Sequence, residues 1–547
     1  MRDAPPNMLD YEEARRTFSL DVPERFNFGF DVVDRWAEDR TKLALVSVDP
    51  SGEHARKSTF WDLAVSSNRF ANLLRGLGVG KGERALLMAP RIPEWYEAFL
   101  GMTKLGVVPM PATTLCTSHD IEYRINRAEA SIAVVDAENA GKMEEVAASC
   151  PSLDHLVLLD GERRGWISWP AERMGLSRAL EGVESTRSDD PLVIYFTSGT
   201  VGPPKMVLHT QASYAIGHTL TARFWHDLKP TDLHWAISDP GWAKMAYGKL
   251  FGQWTQGAAI LQHDAKGRFD AAQTLSILER SGVTSFCAPP TAYRMMVLED
   301  LTGYDLSGLR HCTAAGEPLN PEVMKVWEDG TGLTIYDGYG QTETVLLAAN
   351  FRCLPVKPGS MGKPMPGFEV AIVDDGGNRV SAGEEGQIAV SLEPRPVGLM
   401  KEYWRDPEAV AGAFRSGWYF TGDRAYSDED GYLWFVGRAD DVIISAGYRI
   451  GPFEVESALL EHPAVAESAV VASPDELRGN IVKAFVVLAP GYVPSEELTL
   501  SLQEHVRRVT APFKYPRAVE YVADLPKTIS GKIRRIELRE EERAAPA

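Results

Sequence analysis

Short runs of consecutive apolar residues alternate with segments of helical period through the first three-quarters of the chain. ALLMAP (85–90) has the unbroken apolar character of a buried strand, EWYEAFLGMTKLG (94–106) the spacing of a helix, and VVPMPA (107–112) is strand-like again. SIAVVDA (131–137) and HLVLLDG (155–161) are further strands, with helical patterns between them. This alternation predicts a layered α/β architecture with a largely parallel sheet. The stretch EVAIVDDGGNRVSAGEEGQIAV (369–390) breaks the pattern: DDGG between β-branched runs signals a hairpin, so a β-rich subdomain follows. A second change comes at Gly437-Arg438-Ala439-Asp440. Beyond it, VIISAGYRI, EVESALLE, AESAVVA, KAFVVLA, LTLSLQEHVRRV and RAVEYVA read as strand, helix, strand, strand, helix and strand. That is a small α+β module, about the size of a minimal domain. The expected division is a large domain over 1–437 and a small one over 438–547, the last residues (ELREEERAAPA) forming a charged, solvated tail.

At 547 residues the chain exceeds what one compact core usually supports, which agrees with two domains. Its 44% hydrophobic and 24% charged residues are ordinary for a soluble globular protein. The net charge of -19 argues against a nucleic-acid or anionic-membrane surface. The five cysteines, Cys116, Cys150, Cys287, Cys312 and Cys353, are scattered, odd in number and without CxxC spacing. Neither a zinc site nor a disulfide framework is indicated, and a reducing cytoplasm is the expected setting. The acidic, proline-containing N-terminus resembles neither a secretory leader nor a transit peptide, and no apolar run reaches the ~18–20 residues of a membrane span. Small-molecule partners are therefore expected; the sequence leaves room for a homo-oligomer.

The most informative chemistry lies in Tyr195-Phe196-Thr197-Ser198-Gly199-Thr200-Val201-Gly202-Pro203-Pro204-Lys205. An apolar run ends in hydroxyls and glycines closed by a lysine: glycines let backbone N–H groups approach phosphate oxygens, and the lysine adds a point charge. It is not a Walker A loop, because the GK[ST] ending is missing. A loop of this composition, taken alone, is more often an ordinary surface loop.

YFTSGTVGPPKMVLH resembles the phosphate-loop signature of the adenylate-forming superfamily of acyl-CoA synthetases, adenylation domains and luciferases. AAGEPL (314–319), DGYGQTET (337–344), TGD (421–423), GRADDVIISAGYRIGPFEVE (437–456) and PKTISGK (526–532) resemble its further motifs and follow in the family's order. SDPGW (238–242), SPDELRGNIVKAFVVLA (473–489), VTAPFKYPR (509–517) and PATTLCTSHDIEYR (111–124) are similar to the medium-chain acyl-CoA synthetases.

The resemblance implies a role for each matching residue. Thr197 to Lys205 would hold the β- and γ-phosphates of ATP, with Thr197, Ser198, Thr200 and Lys205 as side-chain donors. Gly316, Glu317 and Pro318 would border the adenine. Asp337, Gly338, Tyr339, Gly340, Gln341 and Thr342 would pack on it and reach the α-phosphate. Glu343 would help hold Mg²⁺, Asp423 would accept from the ribose hydroxyls, and Arg438 would donate toward the same sugar. Lys532 would be the catalytic lysine, acting with Thr342 and Glu343. Asp440 would be the hinge of a mobile small domain. Ala446, Gly447, Tyr448, Arg478 and Arg507 would meet coenzyme A, and Trp242, Ala314 and Ala315 would line the acyl pocket, with Trp225, Trp235 and Tyr247 as further candidates. On chemistry alone Asp423 and Glu343 are solvated loop carboxylates, Lys532 a surface lysine, and Arg507 part of a basic helix face. One residue departs from the family: Val201 stands where Thr or Ser is usual, and a lost phosphate hydrogen bond there costs about 1 kcal/mol.

The implied reaction joins a carboxylic acid, medium-chain fatty or aromatic, to AMP and then to coenzyme A. A stand-alone adenylation enzyme serving a carrier protein, a luciferase-type oxygenase and an inactive binding homologue are the alternatives. The intact Lys205, Glu343, Asp423 and Lys532 speak against the last.

Overall fold

The computed structural model describes residues 5–197, 204–438, 441–445, 448–475, 478–511, 513–527 and 533–544. The apolar runs of the first part form two parallel sheets. In one, the strands Val108–Ala112, Arg84–Met88, Ile132–Val135, His155–Leu158 and Ile167–Ser168 lie side by side in that order, all parallel. Val108–Ala112 is buried along its whole length, which is why its sequence does not alternate. The second sheet has nine strands. Its parallel run is Leu43–Val48, Ala259–His263, Leu233–Ala236, Ser285–Ala288, His311–Ala315 and Ile335–Gly340, with antiparallel strands at both edges.

Helices cover these sheets. Pro93–Leu105 opens with a proline at its first turn and closes on Gly106, whose φ of 71° only glycine adopts cheaply. Phe60–Gly76 starts in a reciprocal cap between Thr59 and Asp62. Their buried faces bring Phe60, Phe70, Trp95 and Phe99 into one core with Trp254 and Phe251; Trp95 stacks on Phe99 at 5.0 Å and Phe60 meets Trp254 edge-on at 5.8 Å.

The expected hairpin appears as Val370–Val373 paired antiparallel with Gly386–Ser391, part of a five-stranded sheet that also holds Trp418–Ser427 and Leu433–Arg438. Asp374 shapes its turn by accepting from the N–H groups of Gly376 and Asn378 at 2.9 and 2.8 Å.

The C-terminal module follows the expected order with two differences. Its first strand is a short hairpin, Ile443–Ser445 with Tyr448–Ile450. After Pro452–Leu460, Val465–Asp475, Gly479–Leu488, Glu496–Val509 and Ala518–Tyr521 comes a further helix, Arg535–Ala544, where the sequence suggested a solvated tail. Glu and Arg are good helix formers, and one face is anchored. Leu538 is buried, Arg535 forks onto Glu456 at 3.0 and 2.6 Å, and Glu542 accepts from Ser473 and Lys483 at 2.7 and 2.6 Å. Among the described residues no helix is long and apolar enough to cross a membrane.

Candidate active site

Parallel sheets place loops with ligand-binding capacity at the carboxyl ends of their strands. Two of the six motifs leave neighbouring strands there: Ala314 pairs with Asp337 and Ala315 with Gly338. The segments AAGEPL and DGYGQTET therefore start side by side. Gly316 has a φ of 105°, a turn that glycine permits. Glu317 accepts from Thr291 and from Arg294, the latter at 3.3 Å, and Pro318 leads to Asn320, which caps the helix Pro321–Thr331. Asp337 is buried, its carboxylate accepting from the Gly338 N–H at 2.9 Å; burial pushes its pKa well above the usual carboxylate range.

A third motif joins them through sheet register. Asp423 lies opposite Arg438, with Oδ1 3.4 Å from the guanidinium Nε. Its Oδ2 accepts from Tyr339 Oη and Gln341 Nε2, both at 2.6 Å. Gln341 also donates to the Thr421 carbonyl at 2.9 Å and accepts from Tyr419 Oη at 2.9 Å. Six positions from two distant parts of the chain thus form one network whose carboxylate is 5% exposed. Next to Tyr339 in the chain, Gly340 lets the backbone double back tightly: a Cβ there would sit 2.8 Å from the Val345 carbonyl oxygen.

Thr342 and Glu343 are held from the other side. The Thr342 carbonyl accepts from Tyr214 Oη at 2.5 Å and lies 2.8 Å from His209 Nε2, and these two rings stack at 3.4 Å. Burial drives the His209 pKa well below its ordinary value, so the ring is neutral and Nε2 carries the proton it donates. Glu343 accepts from Tyr403 Oη at 2.9 Å, and burial raises its pKa. Tyr403 pairs with Val207, and its ring lies 4.8 Å beneath Lys205 Nζ. Lys205 in turn is the Cα partner of Thr197 across the strands that flank the phosphate-loop stretch. Thr197, Pro204, Lys205 and Glu343 are so brought toward one place. Nothing local in the sequence marks Tyr403 or Tyr214, and His209 closes the signature YFTSGTVGPPKMVLH without a role of its own; their parts arise from pairings far apart in the chain.

Ser198, Gly199, Thr200, Val201, Gly202, Pro203, Asp440, Ala446, Gly447 and Lys532 lie outside the described residues. On either side of Lys532, Lys527 bridges to Ile533, and Arg534 donates to the Pro526 carbonyl at 2.8 Å. Burial alone would lower the Arg535 pKa, yet Glu456, Asp441 and Glu317 of the adenine-side segment raise it.

The remaining positions are more open. Tyr448, 53% exposed, stacks on Phe513 at 4.4 Å. Arg507 lies 3.8 Å over Tyr515 in the same loop and 3.5 Å from Glu504. Arg478 is exposed, its N–H donating to Asp475 at 2.8 Å, and Asn480 ties that turn to the Ile444 carbonyl at 3.2 Å. Trp242 is half-buried in the turn after Asp239, while Ala314 and Ala315 are buried. Trp235 packs at 5.6 Å against Phe286 in the core on the sheet's other face, away from the main core that holds Trp225 and Ala315.

A two-part molecule whose parallel-sheet body gathers these motifs at its strand ends has the architecture of solved CoA ligases. It superposes on an anthranilate CoA ligase in complex with anthranoyl-AMP with a TM-score of 0.87 at 32% identity, covering 95% of this chain and 98% of that one. A benzoate CoA ligase from Burkholderia xenovorans gives 0.82 at 28% identity, covering 94% and 100%. The AMP-binding enzyme family matches residues 33–404, and its C-terminal domain residues 454–532. The chain belongs to the AMP-binding enzyme family. Mouse acyl-coenzyme A synthetase ACSM3, mitochondrial, is 46% identical over 98% of this chain and 94% of its own length, and human ACSM4, mitochondrial, is 46% identical over the same shares. These names overturn the cytoplasmic expectation. Scattered free cysteines indicate a reducing setting, not which compartment supplies it.

Proposed function

We propose that the chain is an AMP-forming acyl-CoA synthetase that activates a medium-chain fatty or aromatic acid with ATP and passes the acyl group to coenzyme A. The observation that carries this reading is the convergence of Asp337–Glu343, Asp423, Arg438 and Lys205 around one set of strand ends. The large domain, 1–437, binds ATP and the acid; the small one, 438–547, turns about Asp440 between the two half-reactions.

In the first half-reaction a carboxylate oxygen attacks the α-phosphorus in line and pyrophosphate leaves. The acid is already ionised at neutral pH, with a pKa of roughly 4–5, so no general base is needed. The chain contributes position and charge: Thr197, Ser198, Thr200 and Lys205 on the phosphates, Gly316 to Pro318 and Tyr339 beside the adenine, Asp423 and Arg438 on the ribose, and Lys532 between the carboxylate and the α-phosphate. Thr342 is steadied by His209 and Tyr214, two positioning residues. In the second half-reaction the thiol of coenzyme A attacks the acyl carbon, the bond to the phosphate oxygen breaks, and AMP leaves; Tyr448, Arg478 and Arg507 orient the thiol's carrier.

Among the described residues no three potential ligands cluster as a resident metal site would require. A single half-buried carboxylate, Glu343, fits an ion bound chiefly by phosphate oxygens and water, which is how Mg²⁺ is usually held with nucleotides. Glu343 would hold it, and the ion would supply countercharge for the phosphates.

The test is product analysis. Enzyme, ATP, coenzyme A and an acid panel should yield AMP, pyrophosphate and thioester in equal amounts. ADP and orthophosphate, or no turnover with any acid, would reject the proposal.

A further inference from the structure

An acyl pocket for a plain alkyl chain needs apolar walls, because burying a polar group without a partner is costly. The wall formed here after Trp242 is not apolar. The short helix Lys244–Lys249 begins two residues beyond that tryptophan, and Lys244 Nζ donates to the Ala315 carbonyl at 3.0 Å. A Cβ built on Gly316 would fall 3.0 Å from the same nitrogen, so the ammonium lies close over an exposed glycine just past the end of its strand. Three residues on, Tyr247 turns inward. Its ring sits 6.1 Å from Trp225, and its hydroxyl is buried with no hydrogen-bond partner. Asp337 and Cys287 lie near enough to act on that hydroxyl. Of the positions assigned to the acid, Ala315 shares its core with Tyr247 and receives the Lys244 ammonium on its carbonyl, whereas Ala314 faces the sheet's other core; the Ala315 side is thus bordered by an ammonium and an unsatisfied phenol. Buried polar groups of this kind find partners in nearly all proteins, and a hydrocarbon tail would offer none.

We infer that Lys244 and Tyr247 read a hydrogen-bond-accepting substituent on the acid, so that the substrate class is a carboxylic acid bearing a hydroxyl, an oxo group or a second carboxylate. This rests on the acyl-pocket reading above and narrows it. Lysine supplies donors only, which excludes ammonium-bearing acids, while the tyrosine hydroxyl both donates and accepts. Sites built to pair with a substrate's polar group discriminate strongly against the analogue that lacks it.

The experiment compares kcat/KM for parent acids and their derivatives: octanoate with its hydroxy, oxo and ω-carboxy forms, and benzoate with hydroxybenzoates and phthalates. At least one derivative should exceed its parent by about tenfold or more. Lys244→Met or Tyr247→Phe should then shrink that ratio by about fivefold or more, the second variant removing a single oxygen without a cavity. Parents that equal or exceed every derivative, or a ratio that neither variant moves, would overturn the inference while leaving the ligase reading intact. Absence of AMP from every acid would instead sink the ligase reading, and this inference with it.

Discussion

The proposed nucleotide wall and the proposed coenzyme A surface are built in opposite ways. In the wall, Tyr339, Gln341, Asp423 and Arg438 are buried or half-buried and locked to one another by strand register, Asp423 facing Arg438 across two paired strands. On the small module, Tyr448, Arg478 and Arg507 are exposed and belong to separate loops and a helix end. The contrast teaches where each kind of residue can contribute. Interlocked groups are pre-organised, so losing one disturbs its partners as well as the ligand. Exposed cations steer and orient, and each is worth little by itself.

The largest expected effect crosses between the two regions. Lys532→Ala should slow acyl-adenylate formation about a hundredfold or more while sparing thioester formation from supplied acyl-adenylate, as read by single-turnover kinetics of each half. Equal loss in both halves would mean that the small module's lysine serves something other than adenylation. Next comes Asp423→Ala, which removes the acceptor of Tyr339 and Gln341; kcat/KM for ATP should fall about tenfold to a hundredfold, with little change in KM for coenzyme A.

Acid should separate the two regions by stability. The large domain holds His209, His218, His226, His234 and His311, all fully buried with depressed pKa values: burial takes His218 and His234 to about 3 and His311 to about 4. A histidine kept neutral in the fold but titrating at 6.5 when unfolded stabilises the protein above that pH. As pH falls from 6.5 toward 3 the unfolded chain takes up the extra protons, and each such histidine costs about 1.4 kcal/mol per unit. The small module has only the partly buried His462 and His505. Calorimetry between pH 7 and 4 should show the large domain's transition dropping well ahead of the small one's; parallel shifts would contradict this. The smallest effect is Arg507→Ala, expected to raise KM for coenzyme A about two- to fivefold and to leave pyrophosphate release unchanged.

Much of this was readable in the sequence where the signal is local. The buried strands around 84–88, 108–112 and 132–135 are continuous apolar runs, the hairpin at 370–391 carries its own turn residues, and the nucleotide motifs sit in the expected order. What escaped depends on distance. Tyr403 matters only because its strand adds to the one that begins at Lys205, nearly two hundred residues earlier. His209 and Tyr214 matter only because Thr342 folds onto them. The helix Arg535–Ala544 looks like a charged tail until Glu456, Lys483 and Ser473 are placed beneath it. Tyr247 is a candidate for the acyl pocket from the sequence, but Lys244 sits in an unremarkable helical run, and only the Ala315 carbonyl and the unpartnered Tyr247 hydroxyl reveal what the pair can do.

The central claim is that an oxygen of the substrate carboxylate attacks the α-phosphorus of ATP at this wall. Turnover of an acid labelled with 18O in its carboxylate, followed by mass spectrometry of the products, tests it directly. The account predicts one labelled oxygen in AMP and none in pyrophosphate. Label in orthophosphate, or AMP free of label, would contradict it.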